Sequence, residues 1–574
     1  GVTGSFTARP GLNYIKDDFD FQISDNLTWN IGSHELKFGG EFLRSKNEIL
    51  NDFRTMGNFE FNGSISGNAM ADLMLGDVWR FWQGGGEFKE LYGNRLGFFV
   101  QDNWRVRPEL TLNLGLRWDP TFPFTDSVGR VQCFRPDLQS TRFPNAPLGY
   151  LNAGDPGCPE GGFDTYMGTF APRLGFAFRP ATRTVIRGGA GIFWNPQFTV
   201  LYNGFVNAAP FSPQITNFGV RFEDPYGSGV NPFPASFAPF DPSPNSTFVL
   251  PLGQLGSFDA QFRPSYMQGY NLTIEQEVAA NSVIRVSYVG NMGRFLSYNS
   301  DVNFARYAPG ATTGNIQARR PFANYGPTLV AGSGSTSSYH ALQVGFERRM
   351  NRNFSIEANY TWSASIDEFS EDTTPGQSSS IPNPLDRRGN RGRSDFDNPH
   401  RFVASYVWAL PALQNAQPLV RGVLGGWEST GIVTIRNGFP FTVTTGADRS
   451  FSGIGLDRPD VIGDANLASG RSRAERIARY FNTSAFQLNA LGTFGSAPRS
   501  FLRGPGAVNF DLALMKSFPI KERFRLQYRA EFFNAFNTPN FGSPFAQLSN
   551  AARFGRIESA ADPRILQMAL KFQF

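Results

Sequence analysis

The residues best suited to catalytic or metal chemistry are few in this sequence, and they lie far apart. The three histidines are His34, His340 and His400, and no HxxxH or CxxC spacing accompanies them. Zinc sites draw their ligands from closely spaced His and Cys residues. No GxSxG elbow, Walker loop or dinucleotide fingerprint stands out either. The sequence therefore predicts no catalytic residue, no metal site and no cofactor, and we expect that the protein is not an enzyme.

Two charged segments could instead bind a ligand or an ion. Residues 385–401 combine four arginines with two aspartates, which could contact an anionic ligand or a surface polysaccharide. The sequence favours a simpler interpretation, a solvated loop whose charges pair locally. A short acidic run could hold Ca²⁺ through carboxylate oxygens, although its spacing matches no defined calcium loop. These residues are Arg387, Arg388, Arg391, Arg393, Asp395 and Asp397 in the first segment, and Asp367, Glu368, Glu371 and Asp372 in the second.

The two cysteines, Cys133 and Cys158, lie in a segment rich in Pro and Gly. A disulfide between them is possible in an oxidising compartment, and unpaired surface thiols are the alternative. A later segment contains five phenylalanines that could contact a ligand or pack the segment upon itself: Phe205, Phe211, Phe218, Phe222 and Phe233. Lys and Arg total 53 against 48 Asp and Glu, and this small excess is spread along the chain, so nucleic-acid binding has little support.

The elements that must position these residues are β-strands. Apolar and polar residues alternate strictly in many stretches, which predicts strands because successive side chains point to opposite faces. In residues 110–119 and 524–532 one face is apolar and the other polar. We count about fifteen such strands by this pattern. Helical periodicity is scarce, apart from a short helix predicted around residues 471–480.

The connections between the predicted strands alternate between short and long. Short ones lie near residues 30–33, 105–109, 180–182, 279–281, 349–353 and 519–523, with a longer one at 410–426 on the same side. Long ones occupy residues 44–93, 120–168, 195–266, 291–338, 363–399 and 438–507. Outer-membrane barrels combine short periplasmic turns with long extracellular loops, whereas a soluble sandwich has no reason to collect its long connections at one end.

Composition agrees with a membrane-spanning β-structure. Aromatic residues make up 15% of the chain, including 58 Phe, while the mean hydropathy is only -0.29. No run of apolar residues is long enough for a transmembrane helix, but barrel strands with polar inward positions need none. The sequence therefore predicts an all-β fold, an antiparallel transmembrane β-barrel with long extracellular loops. Trp29, Trp104, Trp118, Trp362 and Trp408 fall near strand ends, as expected of interfacial aromatic girdles.

The last strand carries an apolar face that ends on an aromatic residue. This ending resembles the assembly signal that the barrel-insertion machinery recognises in outer-membrane proteins. A closing strand of a soluble barrel is the alternative. The residues of the predicted signal are Leu566, Met568, Leu570, Phe572 and Phe574.

The number of strands implies that part of the barrel lies outside this sequence. If the last strand descends towards the periplasm, the first predicted strand, near residues 18–29, also descends. Complete single-chain bacterial barrels have even numbers of strands, so we expect residues 1–574 to be an N-terminally incomplete barrel.

Several segments resemble the barrel of Oar-like TonB-dependent receptors. They include residues 99–119, 359–367, 394–411, 425–443, 503–520 and 525–544, of which EFFNAFNTPNF in the last segment is the most specific. The resemblance implies a barrel of about 22 strands with an N-terminal plug, so the plug and about seven strands would be absent here.

The resemblance also implies a function and a location. The protein would be a receptor in the outer membrane of a Gram-negative-type bacterium, surrounded by outer-membrane lipid. It would take up a scarce solute, which could be a siderophore, an oligosaccharide or a peptide. The inner-membrane proton gradient would supply the energy through TonB, which would contact the absent N-terminal region. The alternative is a surface protein whose long loops mediate adhesion without uptake.

Overall fold

The computed structural model describes residues 1–2, 6–7, 14–51, 55–63, 65–84, 86–196, 202, 206, 209–212, 214–227, 231, 242–253, 255–351, 353–370, 381–521 and 523–574. Strands contain 51% of the residues and helices 6%. The all-β fold predicted from the alternating pattern is therefore confirmed.

Fifteen strands form one continuous antiparallel wall, in which each strand pairs with the next one along the chain. The sequence predicts about this number, and the prediction is confirmed. The strands are β1 (Tyr14–Ile31), β2 (His34–Asn51), β3 (Glu87–Arg107), β4 (Leu110–Trp118), β5 (Phe170–Ala181), β6 (Thr184–Trp194), β7 (Tyr266–Ala279), β8 (Ser282–Asp301), β9 (Thr328–Asn351), β10 (Phe354–Asp367), β11 (His400–Ala409), β12 (Trp427–Arg436), β13 (Ala507–Lys521), β14 (Phe524–Phe533) and β15 (Ile565–Gln573).

Short elements lie in the links between the wall strands. The helices are α1 (Ala69–Leu75), α2 (Pro418–Leu424) and α3 (Arg473–Ala478), and α3 falls within the predicted helical segment. Within the described ranges, no helix has the length and apolar character needed to cross a membrane. Short strands occupy Asn58–Glu60, Asp77–Gly84, Thr125–Asp126, Gln132–Phe134, Tyr150–Asn152, Gln214–Arg221, Leu255–Phe258, Gly392–Arg393, Pro440–Phe441, Asp460–Val461, Phe486–Gln487 and Leu502–Arg503, and single 3-10 turns occupy Thr313–Asn315, Gln317–Arg319, Arg388–Asn390 and Thr483–Ala485.

The wall has one apolar face and one polar face. The register places apolar positions opposite each other, as Val100 of β3 lies opposite Leu116 of β4. These side chains stay exposed, 43% for Leu116 and 64% for Leu27, so we call their side the outer face. The other side, the inner face, carries hydrogen-bonded polar groups such as Arg117, whose Nη2 lies 2.5 Å from Glu41 Oε1. The alternation of side chains along each strand thus separates apolar from polar groups across the wall.

The links sort to opposite ends of the wall by length. The short connections 32–33, 108–109, 182–183, 280–281, 352–353 and 522–523 lie at one end, which we call the turn end, together with the link 410–426. The links 52–86, 119–169, 195–265, 302–327, 368–399, 437–506 and 534–564 lie at the other, which we call the loop end. This asymmetry matches the pattern predicted from the sequence.

Two hairpins extend further towards the loop end than the sequence predicts. Residues 44–51 and 87–93 were expected in a loop, yet they continue β2 and β3 as a paired ladder. The prediction was wrong there because the outer positions become charged, and Lys46 lies 2.6 Å from Glu90 across the ladder. Residues 291–301 and 328–338, also expected in a loop, likewise continue β8 and β9. A strand whose two faces are both polar loses the apolar alternation that identifies it.

The segment EFFNAFNTPNF ends β14 in a tight turn at the loop end. Asn534 and Asn537 both have left-handed backbone conformations, with φ of 48° and 52°. Asparagine tolerates this region because its short side chain bonds locally to the backbone. Here Asn534 Oδ1 accepts from Thr538 N at 2.9 Å, and Asn537 Oδ1 accepts from Arg564 N at 3.0 Å. The second bond connects the turn to the residue that precedes β15.

Candidate functional site

The links at the loop end pack into a shared apolar core rather than extending separately. One cluster joins Leu91 of β3 with Val131, Phe163, Phe258 and Ala331, which come from the links 119–169 and 195–265 and from β9. The ring centroids of Phe163 and Phe258 lie 4.9 Å apart in an edge-to-face arrangement. This packing fixes the links relative to the wall at the loop end.

A disulfide and a buried carboxylate brace the link 119–169. Cys133 and Cys158 are bonded to each other, so the sulfurs predicted as either paired or free are paired. Between them in sequence lies Asp155, which accepts hydrogen bonds from Ser140, Thr141 and Arg142. Burial alone would raise the pKa of Asp155, but these bonds outweigh it and hold the pKa below its ordinary value.

Two buried tyrosines connect this link to its neighbours. Tyr325 donates from its hydroxyl to the Leu148 carbonyl at 2.9 Å, and Tyr150 donates to the Ala209 carbonyl. Burial raises the pKa of both hydroxyls, so they stay protonated as donors. The two bonds join three separate links at the loop end.

A cluster of ion pairs holds the links 368–399 and 437–506 together. Arg499, whose side chain is 10% exposed, pairs with Asp367 and donates to the Asn390 carbonyl at 2.9 Å. Its Nη1 also lies 3.3 Å from Asp395 Oδ1. Nearby, Arg503 Nη2 lies 2.6 Å from Asp397 Oδ2. Two arginines and three aspartates from distant parts of the sequence are thus paired in one place.

The structure shows which partners the two charged segments of the sequence have. Arg387 pairs with Glu368, Arg393 pairs with Asp397, and Arg391 donates to Thr336 Oγ1 at 3.2 Å. The charges of residues 385–401 are thus paired, as the simpler interpretation expected, but only partly with local partners. Asp395 and Asp397 also pair with arginines of the link 437–506, and the Asp397 side chain is buried. In the described part of the chain no group of three or more His, Cys, Asp or Glu residues is placed to hold a metal ion. Glu371 and Asp372 of the acidic run lie outside the described residues.

The phenylalanines of the link 195–265 divide between burial and exposure. Phe211 is 4% exposed and packs with Phe143, whereas Phe218 and Phe222 are 60% and 52% exposed. Phe222 nonetheless packs against Phe59 in a tilted arrangement, with ring centroids 4.7 Å apart. These three rings therefore pack against the links 119–169 and 52–86, rather than against their own link as one of the two expectations had it. Phe205 and Phe233 lie outside the described residues.

A pocket opens on the inner face of the wall near the loop end. Its volume is about 260 Å³, and it is lined by inward-facing residues of β2 to β6 and by the first residues of the link after β4. Gly93 of β3 makes room for that link, because a Cβ atom at position 93 would collide with the Phe124 ring. A Cβ at Gly97 would likewise meet Arg117. The two glycines thus shape this side of the pocket.

Three arginines line the pocket, and only one is neutralised by carboxylates. Arg117 pairs with Asp119 at 2.7 Å and with Glu41 at 2.5 Å. No carboxylate of the described residues pairs with Arg95 or Arg173, and both side chains are exposed. The guanidinium of Arg173 lies 4.8 Å from the centroid of the Phe193 ring. Two guanidinium groups without a paired carboxylate, in a pocket that aromatic residues also line, can bind an anion with a planar or aromatic part.

Aromatic contacts fix the rim of this pocket. Trp194 donates from its indole nitrogen to the Phe170 carbonyl at 2.9 Å, and its ring centroid lies 4.8 Å from that of Tyr266. The backbone N–H of Phe124 donates to the Tyr202 hydroxyl at 3.0 Å. Sequence reasoning did not single out Arg95 or Arg173. The sequence pattern that could have identified them is an arginine at an inward-facing position of a strand. Inward-facing positions in barrels are usually polar, so this pattern alone is weak evidence for a binding site.

The remaining candidate residues lie on the outer face. All five residues of the predicted assembly signal are exposed there, from 51% for Phe572 to 93% for Phe574. The three histidines are not brought together: His34 bonds to Asp102, His340 to Tyr288 and His400 to Tyr360, at 2.7–2.9 Å.

Comparisons with solved structures return large outer-membrane proteins. The Escherichia coli outer membrane transporter YddB matches with a TM-score of 0.49 and 10% identity, over 98% of this chain and 55% of that one. The ferripyoverdine receptor of Pseudomonas aeruginosa matches with a TM-score of 0.46 and 11% identity, over 98% of this chain and 49% of that one. The siderophore receptor PiuA from Acinetobacter baumannii matches with a TM-score of 0.46 and 9% identity, over 98% of this chain and 56% of that one. The chain thus spans about half the length of each of these structures. No curated protein matches.

A family model gives the assignment. The model described as "Outer membrane beta barrel domain" matches residues 1–567, which is nearly the whole chain. Its barrel agrees with the wall, whose outer face is apolar and exposed while its inner face is polar. The chain therefore belongs to the outer membrane beta barrel domain family, and its place is the outer membrane.

Proposed function

We propose that the chain is the barrel of a TonB-dependent receptor of the Oar-like group, which takes up a scarce solute across the outer membrane. Energy would come from the inner-membrane proton gradient through TonB. The observation that carries this proposal is the inner-face pocket near the loop end, where Arg95 and Arg173 have no paired carboxylate in the described residues. A solute that passes inside the barrel must contact the inner face.

The pocket supports a particular kind of solute. Two guanidinium groups attract a carboxylate or another anion, and the neighbouring ring of Phe193 favours a planar or aromatic part. A siderophore, an acidic oligosaccharide and an acidic peptide all remain candidates, and the pocket favours whichever combines negative charge with a flat group.

We propose further that residues 1–574 are an N-terminally incomplete barrel and that a plug domain and further strands complete it. Along the fifteen-strand wall, neighbours alternate in direction, so β1 and β15 run the same way. Direct pairing between them would be parallel, whereas transmembrane barrels of bacteria are antiparallel. In the described residues β1 and β15 each pair on one side only. This arrangement supports an odd number of additional strands between the two edges.

Adhesion without uptake is the second candidate function, and the interlocked links at the loop end favour it. They present a braced surface with a disulfide, a form suited to contact with another surface. Accumulation of a solute inside the cell distinguishes the two functions, because an adhesin binds without accumulating.

The test measures energised accumulation by cells that carry the full-length protein. The probes are a radiolabelled ferric catecholate siderophore, an acidic oligosaccharide and an acidic peptide, each supplied with and without a protonophore. We expect one probe to accumulate only without the protonophore. Arg95→Gln together with Arg173→Gln should weaken its uptake by tenfold or more, since each charged hydrogen bond contributes about 1.5–3 kcal/mol.

The control is Arg349→Gln at the turn end, where the side chain is 79% exposed and distant in sequence from the pocket. It should leave uptake unchanged. Cell attachment without accumulation of any probe would instead support adhesion. If Arg349→Gln reduced uptake as much as the double variant does, the pocket would no longer support the proposal.

A further inference from the structure

The link 410–426 at the turn end contains a helix with an unpartnered apolar face. In α2, Leu419, Val420, Val423 and Leu424 are 78%, 39%, 56% and 61% exposed. At 100° per residue these four positions cover one side of the helix, and Arg421 and Gly422 lie on the other. Each of the six other connections at this end is only two residues long. Two residues are therefore enough to connect neighbouring strands at this end, and the connection alone does not explain why α2 is present.

Hydrogen bonds fix the C-terminal end of α2 to the outer face of the wall. Trp427 of β12 and Lys516 of β13 are register partners, in line with the outward-facing pairs Gly431 with Leu512 and Ser429 with Leu514. The indole nitrogen of Trp427 donates to the Val423 carbonyl at 2.8 Å. Because this side chain leaves the wall on its outer side, α2 lies on that side too, beside the membrane rather than below the lumen.

Lys516 strengthens this placement. Its ammonium group donates to the Gly425 carbonyl at 2.7 Å and to the Gly422 carbonyl, and the residue is only 6% exposed. Carbonyls at a helix C-terminus carry partial negative charge, so a cation there is stabilised. The ammonium also lies 5.2 Å from the centroid of the Phe518 ring. A lysine on an apolar outer face thus has its charge satisfied by α2.

We propose that the apolar face of α2 lies in the periplasmic leaflet of the outer membrane, in contact with phospholipid acyl chains at the level of the headgroups. The outer face of a barrel in this family contacts lipid, and α2 continues that face at the turn end. Amphipathic helices with this pattern lie in the plane of the interface. Trp427 and Lys516 are residues of the kind found at that depth.

The proposal commits to phospholipid because of this continuity with the lipid-facing wall. A periplasmic protein bound to the same face is the competing occupant. If α2 contacted only water, four apolar side chains on one side of a short helix would be exposed to solvent, which is unfavourable. The proposal rests on the family assignment and does not depend on transport.

Site-directed labelling of the full-length protein tests the contact. Cys133 and Cys158 are bonded to each other, so Leu419→Cys and Val423→Cys each add one free thiol to this part of the protein, and the parent protein treated with the same thiol-reactive NBD dye gives the background that is subtracted. Arg421→Cys, on the opposite side of the helix, is the matched control. The labelled proteins are placed in vesicles of phosphatidylethanolamine and phosphatidylglycerol, with or without lipids that carry a nitroxide near the headgroup.

At positions 419 and 423 we expect blue-shifted emission and quenching by the nitroxide lipids at least threefold stronger than at position 421. Lys516→Gln should reduce the difference, because it removes the bonds to Gly422 and Gly425. Equal quenching by aqueous iodide at 419 and 421, without nitroxide quenching, would overturn the proposal. Shielding from both quenchers in native membranes, with cross-linking to another protein, would also overturn it and identify the protein as the occupant.

Discussion

Arg499 shows how one residue can hold together links that are distant in sequence. Its partners include Asp367 at the end of β10 and Asn390 in the following link. Replacing Arg499 with Met should leave the buried carboxylate of Asp367 without its cation and destabilise the loop end by about 3–5 kcal/mol. Hydrogen exchange of the Ser394 amide, which bonds to the Ser365 carbonyl, measures the effect as a free energy of local opening.

Two variants complete this test. Arg499→Met combined with Asp367→Asn should recover part of the loss, because the buried side chain at position 367 then carries no charge, while Asp395 is exposed to water. Arg349→Met breaks an exposed pair with Glu347 and should change stability by less than about 1 kcal/mol. If Arg499→Met behaved like Arg349→Met, the buried cluster would not stabilise the links.

Asp155 makes the link 119–169 sensitive to acid. Its pKa in the folded chain lies below the ordinary value, so ionised Asp155 stabilises the fold above about pH 3.9, the ordinary value for Asp, and this contribution disappears as the pH falls through the lower folded value. The amides of Thr141 and Arg142, which donate to Asp155, should lose protection from hydrogen exchange over that range after correction for intrinsic rates.

The comparison for this prediction is Asp155→Asn. Its amides should be less protected at every pH and should show no step in acid, since the titrating group is gone. A step of the same size in Asp155→Asn would assign the effect to another carboxylate.

At the scale of elements, β15 is the strand with the most specific predicted role, as the assembly signal of the barrel. Phe572 stacks on Phe524 with ring centroids 5.6 Å apart, and both lie on the outer face. Phe572→Asp, or deletion of Phe574, should lower the amount of full-length protein in the outer membrane several-fold. The reason is that a carboxylate or a missing ring interrupts the apolar face that enters the lipid.

The matched control is Gln573→Asp, one residue along the same strand and on the opposite face. It pairs in register with Arg525 and should insert normally. Outer-membrane fractions analysed by immunoblotting measure both variants. Wild-type amounts of Phe572→Asp would contradict the role proposed for β15.

The strands themselves could be predicted well where lipid contacts one face. In β4 and β14 the alternation is strict, and their predicted positions agree with the structure. The sequence did not predict the strands correctly at the loop-end parts of β2 and β3, where Lys46 pairs with Glu90 on the outer face. Where a strand extends beyond the lipid, its outward side chains are no longer apolar, so the alternation that predicts a strand is lost.

At the scale of the whole molecule, the two edges of the wall carry a prediction. If additional strands separate β1 from β15, cysteines at Gln22 and Lys571, one inward position on each edge, should not form a disulfide in the full-length protein. Cysteines at Gln527 and Lys571, which are register partners across β14 and β15, should cross-link under the same oxidation. Mobility on non-reducing gels reports both.

An efficient bond between positions 22 and 571 would mean that the edges meet directly. That result would contradict the proposal of an incomplete barrel while leaving the wall described here intact.

The sequence by itself determined the local features of this protein: the strands, their two faces, the short turns and the apolar ending of β15. These follow from a two-residue period that each strand carries within a few neighbouring positions. Tertiary structure alone decided the pairing of Cys133 with Cys158, the bond from Tyr325 to the link around Leu148, and the pocket with Arg95 and Arg173. Such contacts join residues up to 178 positions apart, and they form only when the wall brings the ends of its strands together.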